Sequence, residues 1–258
     1  MTARDGRPAP GTPCWHDLMS PDVESAARFY AGLLAWEYDA SGPEYGFYHM
    51  ARVEGRPAAG IGQMPDGAGM PSAWTVYFAA DDVHGMSAHA VALGGTVMMP
   101  PMEVPAMGWM AVIVDPVGAA FGLWQGTGHL GTGIEEVHGA TAWRDLHTHD
   151  AERARAFYAE LLGAEAQPFE DGETPYYTLS KDGRNIGGIA QTPATQAGVP
   201  AHWLTYFEVT DLETAVDGCA AGGGTVVQPP FETPFRRMAV VSDPFGAVFC
   251  LNQSRQQG

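Results

Sequence analysis

The side chains best suited to chemistry sit at alternate positions of two short apolar stretches. One reads Trp143-Arg144-Asp145-Leu146-His147 and the other Trp15-His16-Asp17-Leu18-Met19. Successive residues of a β-strand point to opposite faces. With Leu146 and Leu18 turned to a core, Trp143, Asp145 and His147 share one surface, and Trp15, Asp17 and Met19 share another. A carboxylate beside an indole on an apolar wall is desolvated, which raises its pKa and suits it to general acid–base work near neutral pH. The same carboxylate can instead accept hydrogen bonds and simply hold its strand. His147 exchanges protons near pH 7.

Two later runs add to these surfaces. By the same alternation Thr75, Tyr77 and Ala79 join the first, while Leu204, Tyr206 and Glu208 join the second. Closing runs contribute Trp124 to the first and Cys250 and Asn252 to the second. Glu208 is a candidate to orient His147 or to act with it. Cys250 is a nucleophile only with a stabilised thiolate, and no cation is placed for that in the sequence, so a small core residue is the plainer reading. His147-x-His149 with Asp145 or Glu208 would make an atypical metal site, but His149 falls past the expected strand end. The indoles and phenols Trp15, Trp143, Tyr77, Tyr206 and Trp124 suit a planar, medium-sized organic ligand.

These stretches recur because the chain is written twice. Over twenty positions, Trp15–Leu34 and Trp143–Leu162 share eleven identities at a shift of 128. Gly60-Ile61-Gly62-Gln63 returns as Gly188-Ile189-Ala190-Gln191. Trp74, Tyr77, Phe78 and Asp82 return one residue late, as Trp203, Tyr206, Phe207 and Asp211. Asp115-Pro116-Val117-Gly118 returns as Asp243-Pro244-Phe245-Gly246. The stretch from Gly126 to Gly139 reads as the linker. Within each half, an alternating run precedes an amphipathic helix, with Val23, Ala26, Ala27, Tyr30, Leu33 and Leu34 on one face. Asp22 and Asp150 are its N-caps, and Gly163 is a C-terminal stop. Three short apolar runs follow each helix as a β-meander. A new strand begins at Trp74, and a helix runs from about Val83 to Leu93. Pro at the second position and Gly at the fourth make each Asp-Pro-x-Gly a tight turn. The expected fold is α+β, four βαβββ units of about 55 residues, two to a domain.

Composition narrows the partners. The 258 residues carry a net charge of −17, and Lys181 stands alone beside twelve arginines. Nucleic-acid and anionic-membrane partners need clustered cations, so neither is expected. No apolar run of about 18 residues spans a membrane, the first residues lack a signal-peptide core, and a cytoplasmic location is expected. Cys14, Cys219 and Cys250 are odd in number and widely spaced, which disfavours a disulfide framework. The Gly222-Gly223-Gly224 run follows a helix and is read as a turn, not a phosphate loop.

The strand–Asp–helix–Phe-Tyr–Leu-Leu run at Trp15–Leu34 and Trp143–Leu162, with the Asp-Pro-x-Gly-x-x-Phe runs at Asp115 and Asp243, resembles the vicinal oxygen chelate superfamily of glyoxalases, bleomycin-resistance proteins and extradiol dioxygenases. The likeness implies two domains, 10–127 and 138–255, each curling eight strands into a cup. The positions where that family carries metal ligands are Trp15, Thr75 and Gly122 in the first half and Trp143, Leu204 and Cys250 in the second. These are not the usual ligand set, so neither a metal nor another cofactor is expected. The resulting expectation is a metal-independent enzyme of this fold, acting on an aromatic or polycyclic metabolite by acid–base chemistry such as isomerisation, cyclisation, lyase chemistry or cofactorless oxygenation. Asp145, His147, Asp17 and Glu208 would be its acid–base groups. Trp143, Tyr206, Trp15, Tyr77, Trp124, Cys250 and Asn252 would contact the substrate. A binding or resistance protein without catalysis is the alternative, and a metal-dependent glyoxalase or dioxygenase the third reading. A monomer with an internal pseudo-dimer is expected, a homodimer being the other arrangement.

Overall fold

In the computed structural model the described residues are 2–3, 6–40, 42, 46–65, 67, 69, 71–169, 174–233 and 236–255. The first unit is β2 (Pro13–Ser20), α1 (Val23–Leu34), β3 (Glu37–Ala40), β4 (His49–Val53) and β5 (Arg56–Gln63), preceded by a short β1 (Thr2–Ala3). The second is β6 (Ala73–Ala79), α2 (Val83–Ala92), β7 (Thr96–Val104), β8 (Gly108–Val114) and β9 (Ala120–Gly126). After β10 (Ile134–Glu135) the third unit runs β11 (Thr141–Thr148), α3 (Ala151–Leu162), β12 (Glu165–Pro168), β13 (Tyr176–Lys181) and β14 (Arg184–Gln191). The fourth is β15 (His202–Glu208), α4 (Leu212–Ala221), β16 (Thr225–Glu232), β17 (Arg236–Ser242) and β18 (Val248–Ser254).

Each half of the chain makes one mixed sheet. The first has the order β3-β4-β5-β2-β6-β9-β8-β7. The second repeats it as β12-β13-β14-β11-β15-β18-β17-β16, extended by β10 and β1 beside β11. The two units of a half meet antiparallel at their first strands, Asp17 opposite Thr75 and Asp145 opposite Leu204. Both sheets are open, and the strong curl into a cup expected from the sequence is absent from this architecture: neither closes on itself. Among the described residues, no strand pairs with the far edges of β3, β7, β12 and β16.

Local chemistry sets the elements. Each helix opens on an Asp whose side chain accepts a backbone N–H: Asp22 from Ser25, Asp82 from His84, Asp150 from Arg153 and Asp211 from Thr214. That contact satisfies an orphan donor and places negative charge at the positive end of the helix dipole. Gly163 ends α3 in the left-handed region at φ 59°. Its repeat partner Ala35 ends α1 in the same conformation at φ 54°. The turn after β8 closes when Gly118 N–H reaches Asp115 C=O at 3.1 Å, with Gly118 at φ 100°. The Gly126–Gly139 stretch is more ordered than a linker reading implies. Glu135 pairs in parallel with Thr141, and Thr2 and Ala3 pair against β10.

The helices of the two halves face each other. α1 packs with α4 and α2 with α3, so the two large cores are each shared between halves. One joins Leu18, Tyr30, Trp36 and Trp74 to Phe207, Phe249 and Leu251; the other joins Phe78, Phe121 and Leu123 to Leu146, Tyr158 and Trp203. Two smaller apolar clusters lie apart from these. Cys14, Trp15, Tyr77, Ala79 and Trp124 form the first, and Leu204, Tyr206, Met238 and Cys250 the second. They lie on the opposite sheet faces from the helices, the side on which the candidate residues stand.

Candidate functional site

The repeat builds the same four side chains twice. In the first half, Trp15 and Asp17 on β2, Tyr48 just before β4 and Tyr77 on β6 come together. In the second, Trp143 and Asp145 on β11, Tyr176 on β13 and Tyr206 on β15 do so. A glycine makes room in each copy. Gly60 lies opposite Asp17 on the neighbouring strand, and a Cβ there would stand 1.7 Å from the Tyr48 hydroxyl. Gly188 lies opposite Asp145, and its Cβ would stand 2.0 Å from the Tyr176 hydroxyl and 2.3 Å from Asp145 Oδ1.

The two copies differ in how the carboxylate is held. Asp145 Oδ1 accepts from Trp143 Nε1 at 2.7 Å and from the Tyr176 hydroxyl at 2.8 Å, while Oδ2 accepts from the Tyr206 hydroxyl at 2.8 Å. Trp143 Nε1 also reaches the Tyr176 hydroxyl at 3.2 Å, and in the first copy the Trp15 indole donates to the equivalent Tyr48 hydroxyl at 2.8 Å. Asp17 is buried, and its Oδ1 has no hydrogen-bond partner among the described residues. Burial pushes its carboxyl up to about 7, against the opposing effect of a hydrogen bond from Tyr77. A buried carboxylate without enough donors is driven towards its neutral form. Burial thus favours the neutral form of Asp17.

The remaining candidates are placed as follows. His147 stacks on His202 with ring centroids 5.4 Å apart, and its Nε2 is buried without a partner among the described residues. Burial lowers its pKa, Asp145 opposes that shift and His202 adds to it. The structure does not bring Glu208 to His147. His147 lies opposite His202, at one end of β15, and Glu208 ends the same strand. Glu208 there accepts from Asn252 Nδ2, from Ser254 N–H at 2.8 Å and from Ser254 Oγ at 2.9 Å. It borders a hollow of about 770 Å³ shared with Glu136, His138, Arg237 and Arg255. Asn252 is therefore turned to Glu208, not to the Asp145 cluster. Cys250 is fully buried beside Tyr206, and burial, then Asp145, push its thiol well above the usual range. That keeps the sulfur protonated and poorly nucleophilic. His149 bonds the Val199 carbonyl at 3.0 Å from an exposed position, away from any ligand cluster. Trp124 donates to the His129 carbonyl at 2.8 Å.

Four residues of these clusters escape strand-by-strand reading. Tyr48 and Tyr176 are related by the same shift of 128 and so carried a signal in the repeat. Arg236 lies over the Trp143 ring, 5.3 Å from its centroid, on a strand whose side-chain direction the sequence left open. His129 comes from the linker and rests edge-on against Trp15, centroids 4.3 Å apart. It has no counterpart in the repeat.

Comparison with known proteins follows the same two-fold pattern. Residues 137–251 match the profile described as the Glyoxalase/Bleomycin resistance protein/Dioxygenase superfamily, and residues 15–124 match that of a glyoxalase-like domain. CFP32 of Mycobacterium tuberculosis, provisionally named a glyoxylase, is 39% identical over 93% of this chain and 93% of its own. The chain belongs to the glyoxalase/bleomycin resistance protein/dioxygenase superfamily. The anthracycline biosynthesis protein DnrV of Streptomyces peucetius is 36% identical over 96% of this chain and 95% of its own. Among solved structures, the Mn(II)-bound glyoxalase of Novosphingobium aromaticivorans superposes with TM-score 0.65 at 13% identity, over 95% of this chain and 82% of that one. Catechol and 2,3-dioxygenases share the fold at similar levels.

These comparisons correct the expectation of a metal-independent enzyme. The fold is shared with a Mn(II)-bound glyoxalase and with dioxygenases. Non-ligand residues at six strand positions characterise those positions and not the reaction, since a fold carries many chemistries on one scaffold. The donor set itself does not match a chelating site of this family. Trp15, Thr75, Gly122, Trp143 and Leu204 offer no ligand atom of the usual kind and Cys250 is a buried thiol, and among the described residues no three His, Cys, Asp or Glu side chains gather.

Proposed function

We propose that this chain is an enzyme acting on an aromatic or polycyclic small molecule, held on the inner face of the first sheet, with Asp17 moving the proton. The observation that carries this reading is the buried Asp17 carboxyl, with Oδ1 unpartnered and its pKa pushed up to about 7, on a wall of Trp15, Tyr48 and Tyr77. A general base works best with a pKa near the operating pH. Met50, Met107 and Met110 pack against this aromatic cluster. Methionines are adaptable enough to make way for a ring system, and the sheet then curves around it as a cup. The likeness to a protein named for anthracycline biosynthesis supports a polycyclic ligand. Trp143, Tyr206 and Asp145 are the repeat counterparts on the second sheet, with Cys250 opposite Tyr206 on the neighbouring strand, and we take them as bracing that sheet. We take 10–127 and 138–255 as the two domains, paired as an internal dimer. Three buried thiols without a disulfide suit a reducing cytoplasm.

In the proposed step Asp17 takes a proton from an acidic C–H of an aromatic ketone. The electron pair of that bond moves into the ring-conjugated enolate and onto its oxygen, and return of the proton at the same or another carbon restores Asp17. The probe is 2-tetralone, a bicyclic aromatic ketone with an acidic benzylic C–H. Deuterium uptake from D2O by 2-tetralone should exceed the protein-free rate and should fall by about 100-fold in Asp17→Asn, the usual contribution of a general base. No acceleration by the wild-type protein, or equal acceleration by Asp17→Asn, overturns the reading.

A second reading places proton transfer at His147, whose Nε2 is buried and unpartnered among the described residues. It predicts that His147→Gln, and not Asp17→Asn, abolishes the same exchange.

A further inference from the structure

The linker does not merely join the halves. The N–H groups of Thr127, Gly128 and His129 converge on the Met107 carbonyl at 2.8, 3.0 and 3.2 Å, and the His129 carbonyl accepts from Trp124 Nε1 at 2.8 Å. Glycine is required for this approach. A Cβ on Gly126 would stand 2.3 Å from the His129 carbonyl oxygen, and one on Gly128 would stand 2.0 Å from that of Ala106. Backbone packed this closely fixes where the histidine side chain starts, and contacts with two indoles hold its ring. The ring lies edge-on against Trp15 at 4.3 Å and tilted at 5.8 Å from Trp124. Its Nε2 is buried and has no partner among the described residues. His129 is also among the residues lining a hollow of about 320 Å³, with Arg56, Pro57, Leu130 and Gly131.

Two buried polar atoms therefore lack partners around one indole: Asp17 Oδ1, two residues along β2 on the same face as Trp15, and His129 Nε2, carried by the linker. A buried polar atom left unpaired costs free energy, and a ligand that supplies the partner recovers it. Desolvation holds the imidazole neutral, with its pKa lowered to about 4 by burial and then by Arg52. A neutral ring can donate or accept at Nε2 according to its tautomer. We infer that His129 is a ligand-binding residue of the first site, its Nε2 hydrogen-bonding an oxygen substituent on the edge of an aromatic ring system stacked near Trp15 and Trp124. The ligand class is thereby narrowed to oxygenated aromatics, ketones or phenols. The inference rests on the aromatic-site reading above and deepens it.

The test compares 2-tetralone with tetralin, which has the same skeleton without the oxygen. Binding is followed on the indole N–H NMR signals of Trp15 and Trp124, so that only the first site is read. His129→Ala should weaken 2-tetralone binding by about 5–10-fold, in line with one hydrogen bond, and leave tetralin unchanged. His129→Gln, whose amide nitrogen can take the place of Nε2, should restore most of the affinity. In the deuterium-exchange assay His129→Ala should lower kcat as well as raise KM, because the oxygen it holds takes on the enolate charge. Equal weakening of both probes shows a packing role only and overturns the inference, as does no change in either. Wild-type protein that binds neither probe at Trp15 and Trp124 sinks the aromatic-site reading itself, and a wild-type protein that binds both with His129→Ala indistinguishable sinks only the His129 assignment.

Discussion

The Tyr158 hydroxyl in the third unit donates to the Asp115 carboxylate in the second at 2.8 Å, tying the two halves together through a buried hydrogen bond. Tyr30 repeats the contact in the other direction, donating to Asp243 at 3.2 Å. Each tyrosine oxygen in turn accepts an indole N–H, Trp203 at 2.9 Å for Tyr158 and Trp74 at 3.0 Å for Tyr30. The other oxygen of each Asp holds its own turn, Asp115 Oδ1 accepting from Val117 and Ala119 and Asp243 Oδ1 from Phe245 and Ala247. The Asp of each Asp-Pro-x-Gly turn is thus also an anchor between halves.

Removing one hydroxyl strands two partners at once, a carboxylate oxygen and an indole N–H. Tyr158→Phe and Tyr30→Phe should each destabilise the fold by about 1–3 kcal/mol, the penalty for unsatisfied buried groups. Urea denaturation of both variants checks this, and a loss below about 0.5 kcal/mol in either would show that the inter-half bond contributes little.

Asp17 makes stability depend on pH. Its carboxyl sits at about 7 in the folded chain against 3.8 as the ordinary value, so the native state holds a proton that the unfolded chain has released. Linkage then gives a stabilising contribution that is complete below about pH 4 and is lost as pH rises towards 7. Asp17→Asn removes the titration. The variant should be more stable than wild type at pH 8, by a few kcal/mol at most, and should lose that advantage at pH 4. Denaturation midpoints measured at the two pH values report the difference, and an unchanged difference between them would refute the buried, proton-binding carboxyl.

Ala35 holds the left-handed conformation at the end of α1 that Gly163 holds at the end of α3. A Cβ in that region meets the following carbonyl and costs about 1 kcal/mol or more. Ala35→Gly should therefore stabilise by about 0.5–1 kcal/mol once the greater freedom of glycine in the unfolded chain is subtracted. Gly163→Ala should destabilise by a similar amount. Thermal melts of the pair should shift in opposite directions.

Much of this molecule is determined by sequence alone, because its information is local. The 128-residue repeat, the Asp caps at 22 and 150, the helix face of Tyr30 and Leu34, and the Asp-Pro-x-Gly turns follow from periodicity and backbone chemistry that operate over a few residues. The side-chain alternation that put Trp15 with Asp17, and Trp143 with Asp145, is of the same kind. Tertiary structure alone decided the rest. Tyr30 bonds an Asp 213 residues away, and no short-range pattern marks such a partner. Asp17 and Asp145 occupy equivalent places with the same neighbouring residue types, yet the Trp143 indole reaches Asp145 as well as Tyr176 while the Trp15 indole donates to Tyr48. His129 resting on Trp15 and Arg236 lying over Trp143 distinguish the copies, and both come from segments remote from the strands they touch. Hydrogen bonding changes over a few tenths of an ångström, so identical residues in a repeat give one carboxylate that is fully held and another with an oxygen unpartnered among the described residues.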